Sequence, residues 1–254
     1  MGSLDPRKNV RIGVFIPADS QFLDAACVDI FGTMSYEYLR LGGDNVPTPL
    51  LNLAPSVSIF YIGTVQPGQL IDFTSGVKIA CTHHLSDPEV QPGKLDIVVV
   101  PGPDPSTKFN TPEKEWLVKQ AARKETDILS VCTGIILCGQ AGILKGKTAS
   151  GPRGLQSQLR KSFEDVNWVG DDMRWVQDGN LWSCGGITSG NDLVGAYARQ
   201  SRHFPSPIVE LGLKLTEVDT RPQKYETGKT VYTLGLAWQL IRAIFMGTGK
   251  PKTA

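Results

Sequence analysis

The apolar positions of this chain fall into short, nearly unbroken runs separated by stretches of helical spacing. Residues 11–16 (RIGVFI) and 95–100 (LDIVVV) are apolar almost throughout, as strands covered on both faces of a parallel sheet are. The run DILSV at 127–131 opens in the same way, residues 57–62 alternate around Ser58, and 77–81 form another short strand. Between them, residues 25–41 place Ala26, Val28, Ile30, Phe31, Met34, Tyr38 and Leu41 at helix-compatible spacing, with Gly42 and Gly43 as a stop. A Pro- and Asn-containing loop is expected at 44–55. Thr111-Pro112-Glu113 supplies an N-cap, a first-turn Pro and an acid for a helix reaching about Lys124. Residues 135–144 are apolar nearly all round, which predicts a buried helix.

Farther on, residues 155–163 read as helical, and 173–176 and 181–184 flank Asp178-Gly179-Asn180 as a hairpin. A helix follows Ser189-Gly190-Asn191-Asp192 to about Arg202, and 229–246 form a last amphipathic helix. Alternating strand and helix over the first 145 residues predicts an α/β fold with a doubly wound, mostly parallel sheet.

Composition narrows the choice of partners. The 254 residues are 41% hydrophobic and 20% charged with a formal net charge of +1, which gives no reason to expect nucleic acid or an anionic membrane. Cysteines at 27, 81, 132, 138 and 184 form no CxxC pair and no metal-ligand spacing, so neither a metal nor another cofactor is expected. An odd cysteine count without a signal peptide points to reduced thiols in the cytoplasm. Gly2 invites a myristoylation check, but Pro6 stands where Ser or Thr is wanted. The expected organisation is a flexible N-terminus at 1–10, one domain at 11–246 and a flexible tail at 247–254.

The candidate chemistry centres on Cys132, at the turn between the strand at 127–131 and the apolar helix. Ligands of open α/β sheets bind at the carboxyl ends of strands, and a helix N-terminus lowers a thiol pKa below its free value of about 8.5. A buried structural cysteine is the plainer alternative. Asp24 sits where an N-cap of the 25–41 helix would. The glycine-rich SCGGITSG at 183–190 lacks both the Walker lysine and the dinucleotide spacing, so a tight packing turn is favoured over a phosphate cradle. His83-His84 reads as part of a polar loop, and His203 as a cation at a helix C-terminus.

The run VCTGIILCGQAGILKGKTAS is similar to the nucleophile-elbow region of the ThiJ/PfpI superfamily. GVFIPADSQFLDAACVDIFG, KLDIVVVPGPDPS and RWVQDGNLWSCGGITSGNDLVGAY extend the resemblance over about residues 11–202. It is nearest to the isocyanide-hydratase branch and its fungal relatives, and it implies a flavodoxin-like fold with helices on both faces of the sheet. It also implies that Cys132 is the reactive cysteine and Asp24 the acid beside it. Gly102 and Thr133 would give backbone N–H groups to a developing oxyanion. Two positions depart from the family pattern: Pro103 replaces a second glycine, and TASGPRG at 148–154 has no histidine, leaving Ser150 and Arg153 as substrate-binding candidates. An Arg there can stabilise a thiolate or bind a substrate anion.

The function expected on these grounds is cysteine-dependent hydratase or lyase chemistry on a small electrophilic molecule, either isocyanide hydration or a step in secondary metabolism. A redox sensor acting through Cys132 is the non-enzymatic alternative. A glyoxalase or deglycase is a third, and the missing histidine counts against it. The resemblance further implies a homodimer, for which Phe31, Met34 and Tyr38 would suit a surface as well as a core.

Overall fold

The computed structural model describes residues 7–218 and 221–247. β1 (Asn9–Phe15) leads through three short helices, α1 (Phe22–Ala26), α2 (Asp29–Thr33) and α3 (Tyr36–Leu39), and then α4 (Thr48–Leu53), to β2 (Ser56–Gly63). A two-stranded excursion, β3 (Leu70–Asp72) with β4 (Lys78–Ala80), precedes β5 (His83–His84) and β6 (Ile97–Val100). Next come α5 (Thr111–Ala121), β7 (Asp127–Ser130), α6 (Gly134–Gln140), β8 (Thr148–Ala149), α7 (Gln156–Ser162) and β9 (Asn167–Trp168). The hairpin β10 (Trp175–Asp178) and β11 (Leu181–Cys184) is followed by α8 (Ser189–Gln200), α9 (Ser206–Leu215) and α10 (Lys229–Gly247).

Seven strands form one sheet in the order β10-β11-β7-β6-β1-β2-β5, parallel except where β10 meets β11. Strand alternation divides the core in two. Ile12, Val14, Ile97, Val99 and Leu129 face one layer with Phe31 and Tyr197; Phe15, Val98, Val100 and Ile128 face the other with Trp116 and Ile135. This is the doubly wound α/β arrangement that the pattern predicts.

Several elements differ from expectation. The 25–41 helix is broken into three. Ser35 caps α3 by accepting from the Tyr38 N–H at 3.0 Å, and the Tyr36 N–H is drawn to the Pro55 carbonyl at 2.8 Å. Phe31 and Met34 are wholly buried, Phe31 against Tyr197 and Phe204, so they are core and not a pairing surface; only Tyr38 is exposed. The expected loop at 44–55 contains α4, and α9 lies where no element was expected. Strand β4 pairs with β3 outside the main sheet, and His83-His84 forms its edge strand β5. His203 is no helix-end cation: burial pulls its pKa down to about 4, so it is neutral at pH 7. Of the expected flexible ends, residues 1–6, with the Gly2 and Pro6 positions, and 248–254 lie outside the described residues.

Helix α10 carries Val231, Leu234, Trp238, Ile241, Ile244 and Phe245 exposed to between 44% and 76%. No described helix is long and apolar enough to cross a membrane.

Candidate active site

Four adjacent parallel strands, β1, β6, β7 and β11, end at the same edge of the sheet, and the loops after them bring the site together. The loop after β1 enters α1, whose N-cap is Gln21; Asp24 therefore lies inside the first turn and does not cap it. Its carboxylate reaches across instead, and the Gly102 N–H after β6 donates to Oδ2 at 3.0 Å. Gly102 thus orients the carboxylate, and its N–H is not free for an oxyanion. The opening at Gly102 is steric as well, because an added Cβ would overlap Asp24 Oδ2 and the Thr133 hydroxyl. Pro103, the departure from the family pattern in this turn, accepts a hydrogen bond from that hydroxyl at 2.6 Å through its carbonyl.

The loop after β7 makes the elbow. Cys132 has φ +56°, a left-handed conformation that costs a non-glycine residue on the order of 1–3 kcal/mol. Gly134 follows, and any side chain there would overlap the Val100 carbonyl. The turn is tight enough to present the thiol at the sheet edge. Cys132 is the one cysteine of the five that is not buried.

The thiol and the Asp24 carboxylate are neighbours, close enough for the thiol to favour the ionised carboxylate, although Oδ1 has no partner within strict hydrogen-bonding geometry. Burial dominates both titrations. It lifts Asp24 from 3.8 to about 6 against the opposing pull of the Gly102 N–H and the thiol. Cys132 is pushed up to about 12, first by burial and then by the Asp24 charge; N–H groups of Thr133 and Ile187 on the sulfur only partly offset this. The expected fall of the thiol pKa is therefore not seen: desolvation and a neighbouring anion outweigh a seven-residue helix. Near neutral pH the pair holds one proton, on sulfur.

Thr133 follows the thiol, with its hydroxyl engaged by the Pro103 carbonyl. Ser150 does not reach it. Ser150 is fully buried, its hydroxyl donates to the Met173 carbonyl at 2.9 Å, and its N–H donates to Ser183 Oγ at 2.9 Å. Arg153 lines a cleft of about 620 Å³ together with Arg174, Ile187, Arg221, Tyr225 and Tyr232. Ile187 lines this cleft and its N–H favours the ionised Cys132 sulfur, so the cleft adjoins the thiol. Sequence reasoning missed Ile187, whose only signal was the glycine pair before α8. It also missed Arg174, which opens the RWVQDGN stretch without being singled out there, and Arg221, Tyr225 and Tyr232, which belong to no motif. Among the described residues, no group of three or more His, Cys, Asp or Glu side chains is placed to hold a metal ion.

The sequence profile of the DJ-1/PfpI family matches residues 46–200, from α4 to the end of α8. The chain belongs to this family. It is 32% identical over 119 residues to the isonitrile hydratase of Pseudomonas putida, a match that covers 42% of this chain and spans less than half, 45%, of that protein. Its fold is similar to those of Drosophila melanogaster DJ-1beta and a ThiJ/PfpI family protein from Pseudomonas syringae. The first gives a TM-score of 0.63, 16% identity and coverage of 83% of this chain and 99% of the other. For the second the values are 0.66, 16%, 95% and 93%.

Proposed function

We propose that this DJ-1/PfpI family protein is a cysteine-dependent hydratase that converts an isocyanide, R–N≡C, and water into the formamide R–NH–CHO. The observation that carries this reading is the pairing of the buried Asp24 carboxylate with the accessible Cys132 thiol, which holds one proton between a nucleophile and a carboxylate. The likeness to an isonitrile hydratase supports it over the matched segment. In the first step Cys132 Sγ bonds to the terminal carbon. The S–H bond breaks, and its proton passes by way of the Asp24 carboxylate to the same carbon, giving R–N=CH–S–Cys132. Water then adds to that carbon, with one proton going to nitrogen. As the C–S bond breaks, the hydroxyl proton returns through Asp24 to sulfur. Atoms balance, and no oxidant or cofactor is consumed.

The experiment is to incubate the protein with an aryl isocyanide and follow the formyl proton by NMR. Formamide produced by wild type and lost in Cys132→Ala is the expected outcome. No formamide from wild type overturns the reading.

One observation favours a second role. Cys132 is the only cysteine with solvent access, and Asp24, raised to about 6, can donate a hydrogen bond to a sulfinate below that pH. Peroxide titration read by intact mass separates this redox role from catalysis. A glyoxalase or deglycase lacks support from the site: the cleft contains no histidine, since His83 and His84 lie on β5 and His203 is buried after α8. Pairing of two copies belongs to the same proposal. Helix α10 is apolar on most sides with Lys229 and Arg242 as its only charges, and its apolar run is short for a membrane span, so a second copy is the occupant we assign to it. The five free thiols suit the cytoplasm, which we retain as the proposed location.

A further inference from the structure

We infer that the molecule hydrated at Cys132 carries a carboxylate, recognised by Arg153 and Arg174 in the adjoining cleft; the inference rests on the isocyanide reading above and names its substrate class.

The cleft has a surplus of positive charge that the protein does not neutralise. The buried carboxylate behind it, Asp192, is held mainly by Arg221, which donates to Oδ2 through Nη2 at 2.6 Å and through Nε at 3.1 Å. Arg174 lies farther from the same oxygen, 3.8 Å, and its Nε donates to the Pro222 carbonyl. The Arg174 side chain is only 12% exposed, yet among the described residues neither of its Nη groups has a protein acceptor. Arg153 gives its Nη groups to Thr227, while its Nε is buried without a partner. Both guanidiniums rest on one ring: their carbons lie 4.2 and 4.5 Å from the centre of Tyr225, and Arg153 also reaches Tyr232 at 4.8 Å. Two like charges sharing a ring repel, and the π face offsets this only in part. Glu226 is also at the cleft, but it is exposed and screened by solvent.

A neutral ligand would leave Arg153 with no carboxylate partner and Arg174 with only its long, 3.8 Å ion pair to the Asp192 oxygen it shares with Arg221. A carboxylate supplies acceptors for the unused Arg153 Nε and the Arg174 Nη groups, and charge-assisted bonds of this kind are the stronger class. The N-terminus of α8, which lies at Thr188 and Ser189 on the same wall, adds the favourable end of a 12-residue helix. Ile187, on the same wall, is the residue of the cleft whose N–H favours the ionised Cys132 sulfur, so an anion held at the arginines lies in the cleft next to the thiol.

The test compares 4-isocyanobenzoate with its neutral isostere 4-isocyanobenzamide, in wild type, Arg153→Gln and Arg174→Gln. Wild type is expected to favour the benzoate in kcat/KM, and each variant to reduce that preference by about 10- to 100-fold. Arg153→Lys, which keeps the charge but not the fork, should retain part of it. If Arg174→Gln does not fold, Arg153→Gln and Arg153→Lys decide alone. Equal turnover of the two isocyanides by wild type, or a preference unchanged in the variants, overturns the inference and leaves the hydratase reading intact. If wild type hydrates neither compound, the hydratase reading falls. Anion recognition is then read by calorimetry of the corresponding formamides on Cys132→Ser. Binding of 4-formamidobenzoate but not 4-formamidobenzamide, weakened in Arg153→Gln, upholds it. Equal affinity for the two refutes it.

Discussion

Asp24→Asn is expected to make the protein more stable and catalytically dead. The carboxyl is fully buried and its pKa rises from 3.8 to about 6. That rise means that keeping Asp24 ionised at pH 7 costs the fold about 3 kcal/mol relative to its protonated form. Because the folded pKa lies above the unfolded one, the folded state binds this proton more tightly. The contribution is fully present below about pH 4 and is lost as pH rises through about 6. Asparagine carries no charge and still offers an oxygen to the Gly102 N–H. We expect a gain of about 1–3 kcal/mol at pH 7, shrinking toward zero near pH 4. Urea unfolding of both proteins between about pH 4 and 8 reads the difference directly. Turnover should fall by about 10²–10⁴-fold, because an amide cannot relay the proton. The thiol should titrate lower, since the Asp24 charge is one cause of its high pKa. A variant less stable than wild type at pH 7, or a difference that does not shrink toward low pH, would refute the desolvation account.

Four further outcomes follow from the same geometry. Activity should rise with pH through about 6, as Asp24 ionises and can accept the thiol proton, and a kcat/KM profile falling across that range would contradict the relay. Iodoacetamide, read per cysteine by mass spectrometry, should modify Cys132 before the four buried thiols, at a rate that keeps climbing above pH 8 because the thiol titrates near 12; a plateau near pH 7 would mean a thiolate that the site does not hold. Gly134→Ala should cost about 2–4 kcal/mol in thermal or urea unfolding, since its Cβ meets a backbone oxygen that cannot swing away, and a silent substitution would mean a looser elbow. Light scattering should give a dimer for the full chain and a monomer for a chain ending at Gly228; a full-length monomer at micromolar concentration removes α10 as the pairing surface.

The parallel sheet was legible because the runs at 11–16, 95–100 and 127–131 are covered on both faces, and such strands leave an uninterrupted apolar signature. The place of Cys132 at a strand-to-helix turn was legible for a local reason: strand, thiol and small residue occur in close succession. The role of Gly102 was not. Nothing in PGP shows that an N–H 78 residues away binds Asp24, because that contact exists only once β1 and β6 lie side by side. The 25–41 segment has good helical spacing, yet local capping by Ser35 and the pull of Pro55 on Tyr36 break it. The thiol pKa went the wrong way for a related reason. A helix N-terminus is visible in a sequence, whereas burial and a carboxylate from another strand are tertiary quantities. Ser150 and the arginines show the limit most plainly: all are polar residues in loops, and only packing decides which of them meets the cleft and which is locked inside.

A high thiol pKa fits the proposed chemistry better than a low one. A standing thiolate attacks any electrophile that reaches it, and its oxidation follows from the same property. Here the sulfur is protonated near neutral pH, so attack requires Asp24 to take the proton while the S–C bond forms. That proton then needs a destination, because burial makes a protonated Asp24 and an unprotonated sulfur a poor resting state. The terminal carbon of an isocyanide accepts both the nucleophile and the proton, so a single centre satisfies sulfur and carboxylate together. An alkylating agent offers no such second site. The pairing should therefore discriminate by proton demand as well as by electrophilicity, and the ratio of isocyanide turnover to iodoacetamide modification measures it. Asp24→Asn should lower that ratio from both directions, slowing the first reaction and, through a less basic thiol, speeding the second.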